Sequence, residues 1–130
     1  TLDILYKRAD ILHGAVRAMD GRVAYVIMGQ KEIAEKDITY EDIHCISTIL
    51  RDCDDIELGF TMYEEEENRW RCSFRSDGKW INVNELLQVF GGGGHATAAG
   101  VRKRTNDVEK FRQEILERIV MMRKISGQDK

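Results

Sequence analysis

The chain has 130 residues, of which 42% are hydrophobic and 33% charged, and a net charge of -3. That supplies one core and excludes whole-chain attraction to nucleic acid or an anionic membrane, so any polyanion site has to be a local basic patch. No apolar run approaches the roughly 18 residues of a membrane span, and no basic-then-apolar leader is visible. Cys45, Cys53 and Cys72 are odd in number and widely spaced, which excludes a disulfide framework or a C-x-x-C zinc site and suits reduced thiols in a cytoplasmic protein. The chain opens on Thr1, so an upstream segment is expected to be missing. Proline is absent, where about six would be usual.

In chain order, Leu5, Ala9, Leu12, Val16 and Met19 fall at helical spacing and predict a helix over 3–19. Asp20-Gly21 supplies a turn, and the apolar run Val23 to Met28 predicts a strand buried on both faces. Thr39 to Asp42 resembles a capping box with Asp where Glu or Gln is usual. Ile43, Ile46, Ile49 and Leu50 follow as one stripe, so 40–52 is a helix. From Asp55 to Met62 the pattern alternates, with Ile56, Leu58, Phe60 and Met62 on one face, as a half-buried strand does. Glu64 to Asn68 makes a polar tip. Residues 69–75 alternate again, with Trp70, Cys72 and Phe74 inward and Arg69, Arg71, Ser73 and Arg75 outward, so the two runs form a hairpin.

After a turn at Asp77-Gly78, Asn82 with Glu85 starts a short helix whose buried face is Leu86, Leu87 and Phe90, and Gly91 ends it. Residues 98–104 read as a further strand. Asn106 with Glu109 caps a last helix striped by Val108, Phe111, Ile115, Ile119 and Met122. The result is an α+β single domain, a mixed sheet of four to five strands with helices packed against it. Residues 1–19 form an N-terminal helix, 20–125 the domain body and 126–130 a disordered tail.

The sharpest feature is Gly91-Gly92-Gly93-Gly94-His95-Ala96-Thr97-Ala98-Ala99-Gly100. Four glycines together are entropically costly and persist where backbone takes positive φ or approaches something closely. Successive N–H groups turned inward form a concavity for an anion, and His95 can add a hydrogen bond to a phosphate oxygen. A flexible loop is the alternative reading. The second feature is the arginine strand. Arg69, Arg71, Arg75 and Lys79 face only Asp77 between 69 and 79, whereas 54–67 carries seven acids and no base. Arg71 and Arg75 share a face about 13 Å apart. Arg69 and Arg71 are read as pairing with the acidic run. Arg75, next to Ser76 near the strand end, is read as a phosphate clamp.

Weaker signals are set aside. His44 and His13 lack partners that would make them ligands, and Trp70 and Phe74 fit the core period. Trp80 alone is kept as a base-stacking candidate. No dense Asp and His cluster for divalent ions is visible.

Ser73-Phe74-Arg75-Ser76, followed by GGGHATAAG from Gly92 to Gly100, resembles the C-terminal substrate-binding domain of the DHH phosphoesterases, the DHH-associated domain, whose hallmark is GGGH-x-x-A-A-G. Asn82 to Leu86 is similar to the branch of oligoribonucleases and 3'-phosphoadenosine-5'-phosphate phosphatases, also called exopolyphosphatase-related. The resemblance spans roughly 20–122. It implies a partner catalytic domain in the same parent protein, with an Asp-His-His motif and manganese, reached through residues 1–19. That motif is absent here, so this chain alone is expected to bind no metal cofactor and to be inactive. The matching substrate residues are Arg75, Ser76, Gly92, Gly93, Gly94 and His95, and Gly91 joins the phosphate-binding candidates as the first residue of the glycine run.

Two readings stay open. In the first, the chain is the substrate-binding domain of a metal-dependent phosphodiesterase or phosphatase acting on short oligonucleotides or nucleoside phosphates. In the second, it is a non-enzymatic nucleic-acid-binding module, as the related domain of alanyl-tRNA synthetase suggests. The partners implied are a nucleotide or short oligonucleotide phosphate, the DHH catalytic domain and a second copy of the chain, with no membrane.

Overall fold

Gly14 decides how the molecule starts. In the computed structural model, which describes residues 1–126, helix α1 runs Leu2–His13 from the Thr1 N-cap. Gly14 closes it by donating its N–H to the Ile11 carbonyl. The single helix expected over 3–19 is therefore replaced by a helix and a strand, because Val16–Ala18 forms β1, antiparallel to β2 (Val23–Met28). Between them Met19, Asp20 and Gly21 take φ of 53°, 58° and 83°, a run of left-handed backbone that reverses the chain and seats Val16 opposite Tyr25. Of the expected stripe Leu5 is exposed, and Ile11, outside it, is the buried residue of α1.

Helix α2 (Gln30–Glu35) carries no buried side chain and has no counterpart in the sequence reading. Helix α3 (Tyr40–Asp52) starts at the expected capping box: Thr39 and Asp42 exchange hydrogen bonds of 2.9 and 3.1 Å. Asp42 is only 1% exposed, and Lys7 and Arg8 of α1 each reach it at 2.7 Å. Burial alone would push that carboxyl up. The donors from Lys7, Thr39 and Arg8 outweigh it and hold the group below the usual carboxylate range. Ile43, Ile46 and Leu50 are buried as the stripe predicts, whereas Ile49 is exposed.

Strands β3 (Leu58–Glu66) and β4 (Arg69–Ser76) form the expected hairpin, with the polar tip reduced to Glu67 and Asn68. Helix α4 (Val83–Gln88) is capped by Asn82, whose side chain accepts from the Glu85 N–H. Then come β5 (Gly93–Gly94), β6 (Ala98–Arg104) and α5 (Val108–Ser126). The cap of α5 is Asp107, which accepts from the Lys110 N–H at 3.2 Å, and not Asn106. Ser126, placed in the tail by the sequence, is the last residue of α5, and 127–130 lie outside the described residues.

The fold is α+β, with one mixed sheet in the order β1-β2-β3-β4-β6-β5. Strands β2 and β3 run parallel and the other neighbours antiparallel. The sheet thus has six strands, one more than the upper expectation, because β1 and the two-residue β5, neither of them expected from the sequence, join its two ends. Helices α1 to α3 pack on one face, around Ala24, Val26, Ile43, Ile46 and Leu50. Helices α4 and α5 pack on the other, around Phe60, Phe74, Leu86, Phe111 and Ile115.

Strand β3 is buried on both faces from Leu58 to Tyr63, not half-buried. Gly59 and Thr61 on its outward face are small enough to admit α3. A Cβ at Gly59 would stand 2.8 Å from the Leu50 Cβ, and the Thr61 and Ser47 hydroxyls share a 3.2 Å hydrogen bond.

Candidate functional site

The register of β4, β6 and β5 builds a surface that no single stretch of sequence shows. Arg71 pairs with Arg102, Ser73 with Gly100, Arg75 with Ala98, and Gly93 with Gly100. Directly opposed residues of antiparallel strands share a face. The row Ser73, Gly100, Gly93 is thus almost bare of side chains, with Arg71 and Arg102 on one flank and Arg75 on the other. Helix α3 packs on β3 and the adjoining side of β4, and beyond it Gly100 and Arg102 are exposed. Arg71, Arg102, Gly91, Gly92, Gly93 and Gly100 line one shallow hollow.

The arginines differ in what holds them. Arg69 pairs with Glu66 at 3.1 Å, as the acidic-run reading expects. Arg71 and Arg102 both lean on Glu65, at the longer distances of 4.0 and 3.7 Å. Arg75 has no ion-pair or hydrogen-bond partner among the described residues and lines a small hollow with Tyr40, His44, Ser47 and Ser73. A half-buried guanidinium without a carboxylate is a ready anion ligand. His44, set aside on sequence, stands on α3 beside this arginine.

The glycine run is brought to the same surface but does not form a cradle of free N–H groups. The N–H groups of Gly91 and Gly92 donate to the Gln88 and Leu87 carbonyls, Gly94 donates to the Asn84 side chain at 3.0 Å, and His95 donates to the Ala98 carbonyl. Packing and backbone geometry account for the glycines. Gly91 has φ of 84° where it ends α4. At Gly92 a Cβ would stand 2.5 Å from the Gly100 carbonyl oxygen, and at Gly94 2.7 Å from that of Ala98. The run is the edge of a tight hairpin, and its contribution to the surface is a low floor. His95 is exposed at the hairpin tip.

Ser76 lies at the end of β4 but is 5% exposed. Its hydroxyl donates to the Ile81 carbonyl at 2.9 Å and accepts from the Gly78 N–H at 3.0 Å, so it ties the following loop to the strand that carries Arg75. Trp80, the base-stacking candidate, is 9% exposed and packs against Arg123, whose guanidinium carbon lies 4.7 Å from its ring centre. The three cysteines are free thiols. Burial pushes the Cys72 thiol up to about 12, which keeps it protonated. Among the described residues no three His, Cys, Asp or Glu side chains converge as a metal site would need. No described helix is long and apolar enough to cross a membrane.

Arg71, Arg102, Gly100 and Tyr40 are the surface residues the sequence reading did not select. The acidic run accounts for Arg71 by itself, and Arg102 joins it only through strand pairing. A signal existed in the 98–104 strand, where Gly100 and Arg102 alternate with Val101.

The comparisons with known proteins fit this architecture. The DHHA1 domain family matches residues 20–121. The bifunctional oligoribonuclease and PAP phosphatase NrnA of Mycoplasma pneumoniae is 31% identical over 101 residues, covering 76% of this chain and 30% of that protein. An exopolyphosphatase-related protein from Bacteroides fragilis superposes with a TM-score of 0.75 at 21% identity, over 93% of this chain and 36% of that one. A pGpG-specific phosphodiesterase from Vibrio cholerae superposes with a TM-score of 0.63 at 11% identity, over 92% and 40%. The chain thus spans between 30% and 40% of the length of these relatives. With the glycine-histidine hairpin on the sheet edge and the family match over most of its length, the chain belongs to the DHHA1 domains of the DHH family.

Proposed function

We propose that this chain is the substrate-binding part of a metal-dependent phosphodiesterase or phosphatase acting on short oligonucleotides or nucleoside phosphates. Its own task is to hold phosphate on the open face of β4, β6 and β5. Arg75 is the main clamp, Arg71 and Arg102 neutralise further charge, and His95 reaches the anion from the hairpin tip. Gly93 and Gly100 keep the floor low enough for a ligand to lie against backbone, Gly91, Gly92 and Gly94 fix the hairpin that makes this floor, and Ser76 secures the end of the clamp strand. Bond cleavage belongs to a metal-bearing domain outside this chain.

The observation that carries the reading is Arg75, half-buried and without an ion-pair partner among the described residues, beside a side-chain-poor floor. A hydrogen bond to a charged group contributes about 1.5–3 kcal/mol. Arg75→Ala is therefore expected to weaken adenosine monophosphate binding by roughly ten- to a hundredfold, since about 1.4 kcal/mol is tenfold. An NMR titration of the chain checks this. Shifts should cluster on β4, β6 and Gly91 to His95. Their absence at millimolar ligand sinks the proposal. A module for long nucleic acid would instead gain affinity with strand length and lose it steeply with salt.

A further inference from the structure

The basic surface runs on into an apolar hollow that phosphate binding leaves unused. Arg71 borders both. On one side it meets Gly93, Gly100 and Arg102, and on the other it closes a hollow walled by Ile33, Ile38, Tyr40, Ile43 and Tyr63. Tyr40 opens helix α3 and is 61% exposed. The Arg71 guanidinium carbon lies 5.6 Å from the centre of its ring, within reach of a cation–π contact. Tyr63 forms the inner wall. Burial pushes its phenol above the ordinary value, and the charge of Arg71 only partly opposes this, so the hydroxyl stays protonated. The Glu64 and Glu65 carboxylates stand at the rim, Glu65 leaning on Arg71 and Arg102 at 4.0 and 3.7 Å.

A nucleotide has the same division, an anionic group beside a flat, largely apolar ring whose edge carries N–H donors. We propose that this hollow is a nucleobase subsite, with the base stacked on Tyr40 and its edge toward the Glu65 rim, while the phosphate reaches past Arg71 to the floor flanked by Arg75 and Arg102. The assignment rests on the phosphate-binding reading above and deepens it. Arg71 is the pivot, since it is the residue that touches both compartments. A ligand made of phosphate alone would use only the basic compartment and leave the apolar one filled with water.

The test compares adenosine monophosphate with ribose 5-phosphate, which carries the phosphate but no base. The full 130-residue chain is used, and because Tyr40 is exposed at a helix start, Tyr40→Ala should fold normally. The wild-type chain should bind the nucleotide more tightly than the sugar phosphate. Tyr40→Ala should lose roughly 5- to 100-fold for the nucleotide, the range for removing one aromatic stack. It should weaken the sugar phosphate far less than the nucleotide, and Tyr40→Phe should retain tight binding of both. The adenine ring protons should move upfield on binding to the wild type and much less with Tyr40→Ala. Equal wild-type affinity for both ligands, or an unchanged nucleotide affinity in Tyr40→Ala, overturns the base subsite and leaves the phosphate reading standing. If neither ligand binds, both fall.

Discussion

Gly59 on β3 and Gly100 on β6 stand in the same sheet, yet the space above them differs. Gly59 lies under α3, where a Cβ would stand 2.8 Å from the Leu50 Cβ. Gly100 is exposed, and a Cβ there would meet nothing nearer than the Cys72 carbonyl at 3.2 Å. In one half glycine lets a helix settle on the sheet. In the other it leaves the sheet bare beside three arginines. Glycine here sets the shape of the surface, and the charge comes from neighbouring strands.

The largest expected break of this comparison is Gly59→Val. It drives two methyl groups into Leu50 and should cost about 3 kcal/mol, the upper end for overpacking a core, read as a lowered urea midpoint. Gly100→Ala should change stability by less than about 1 kcal/mol. It should instead weaken nucleotide binding in the titration, because its methyl raises the floor. Similar stability losses in both variants would erase the distinction between the halves.

Asp42 gives the next effect. It anchors α1 to the covered half, and Asp42→Asn should cost about 2 kcal/mol at pH 7 through the lost ion pairs and half the capping box. Because the folded carboxyl lies below its ordinary value of about 3.9, its contribution is fully present above that pH and is lost as the pH falls through the folded value. The wild-type stability curve should therefore drop more steeply in acid than that of Asp42→Asn. Parallel acid limbs would remove Asp42 from this role.

The smallest effect lies in the bare half. Glu65 is the carboxylate nearest Arg71 and Arg102, and its long contacts are those of a weak surface pair. Glu65→Gln should tighten binding of inorganic phosphate about two- to fivefold, equivalent to less than about 1 kcal/mol. Weaker phosphate binding in this variant would mean that Glu65 holds the arginines in place rather than competing with the anion.

Much of the fold is legible from local pattern. The apolar run of β2, the alternation of β4 and the stripes of α3 and α5 each encode their own partner face. Helix α2 is not legible, because its six residues bury no side chain and leave no periodicity. Strand β1 hides within a helical spacing because its pairing depends on three left-handed residues, the first of them Met19, a residue type that seldom enters that region. The burial of Gly59 and Thr61 is equally hidden, since small residues carry no apolar signal. For the site, Arg75 and the glycine hairpin were visible as motifs. The pairing of Arg71 with Arg102 and the hollow beside Tyr40 arise from contacts 31 residues apart along the chain, or between a helix start and a strand. No local pattern reports such contacts.

The lengths of the strands have one more consequence. The sheet's outer members are β1 with three residues and β5 with two, while the nine, eight and seven residues of β3, β4 and β6 are interior. A long free rim of unpaired backbone recruits strands from other molecules and seeds aggregates. Because β5 pairs β6 only at Ala99 and Gly100, residues 101–104 extend past it, and that stretch carries Arg102, Lys103 and Arg104. Positive charges along an edge repel the same edge of a second copy, so the sheet guards its longer rim by charge and its ends by brevity.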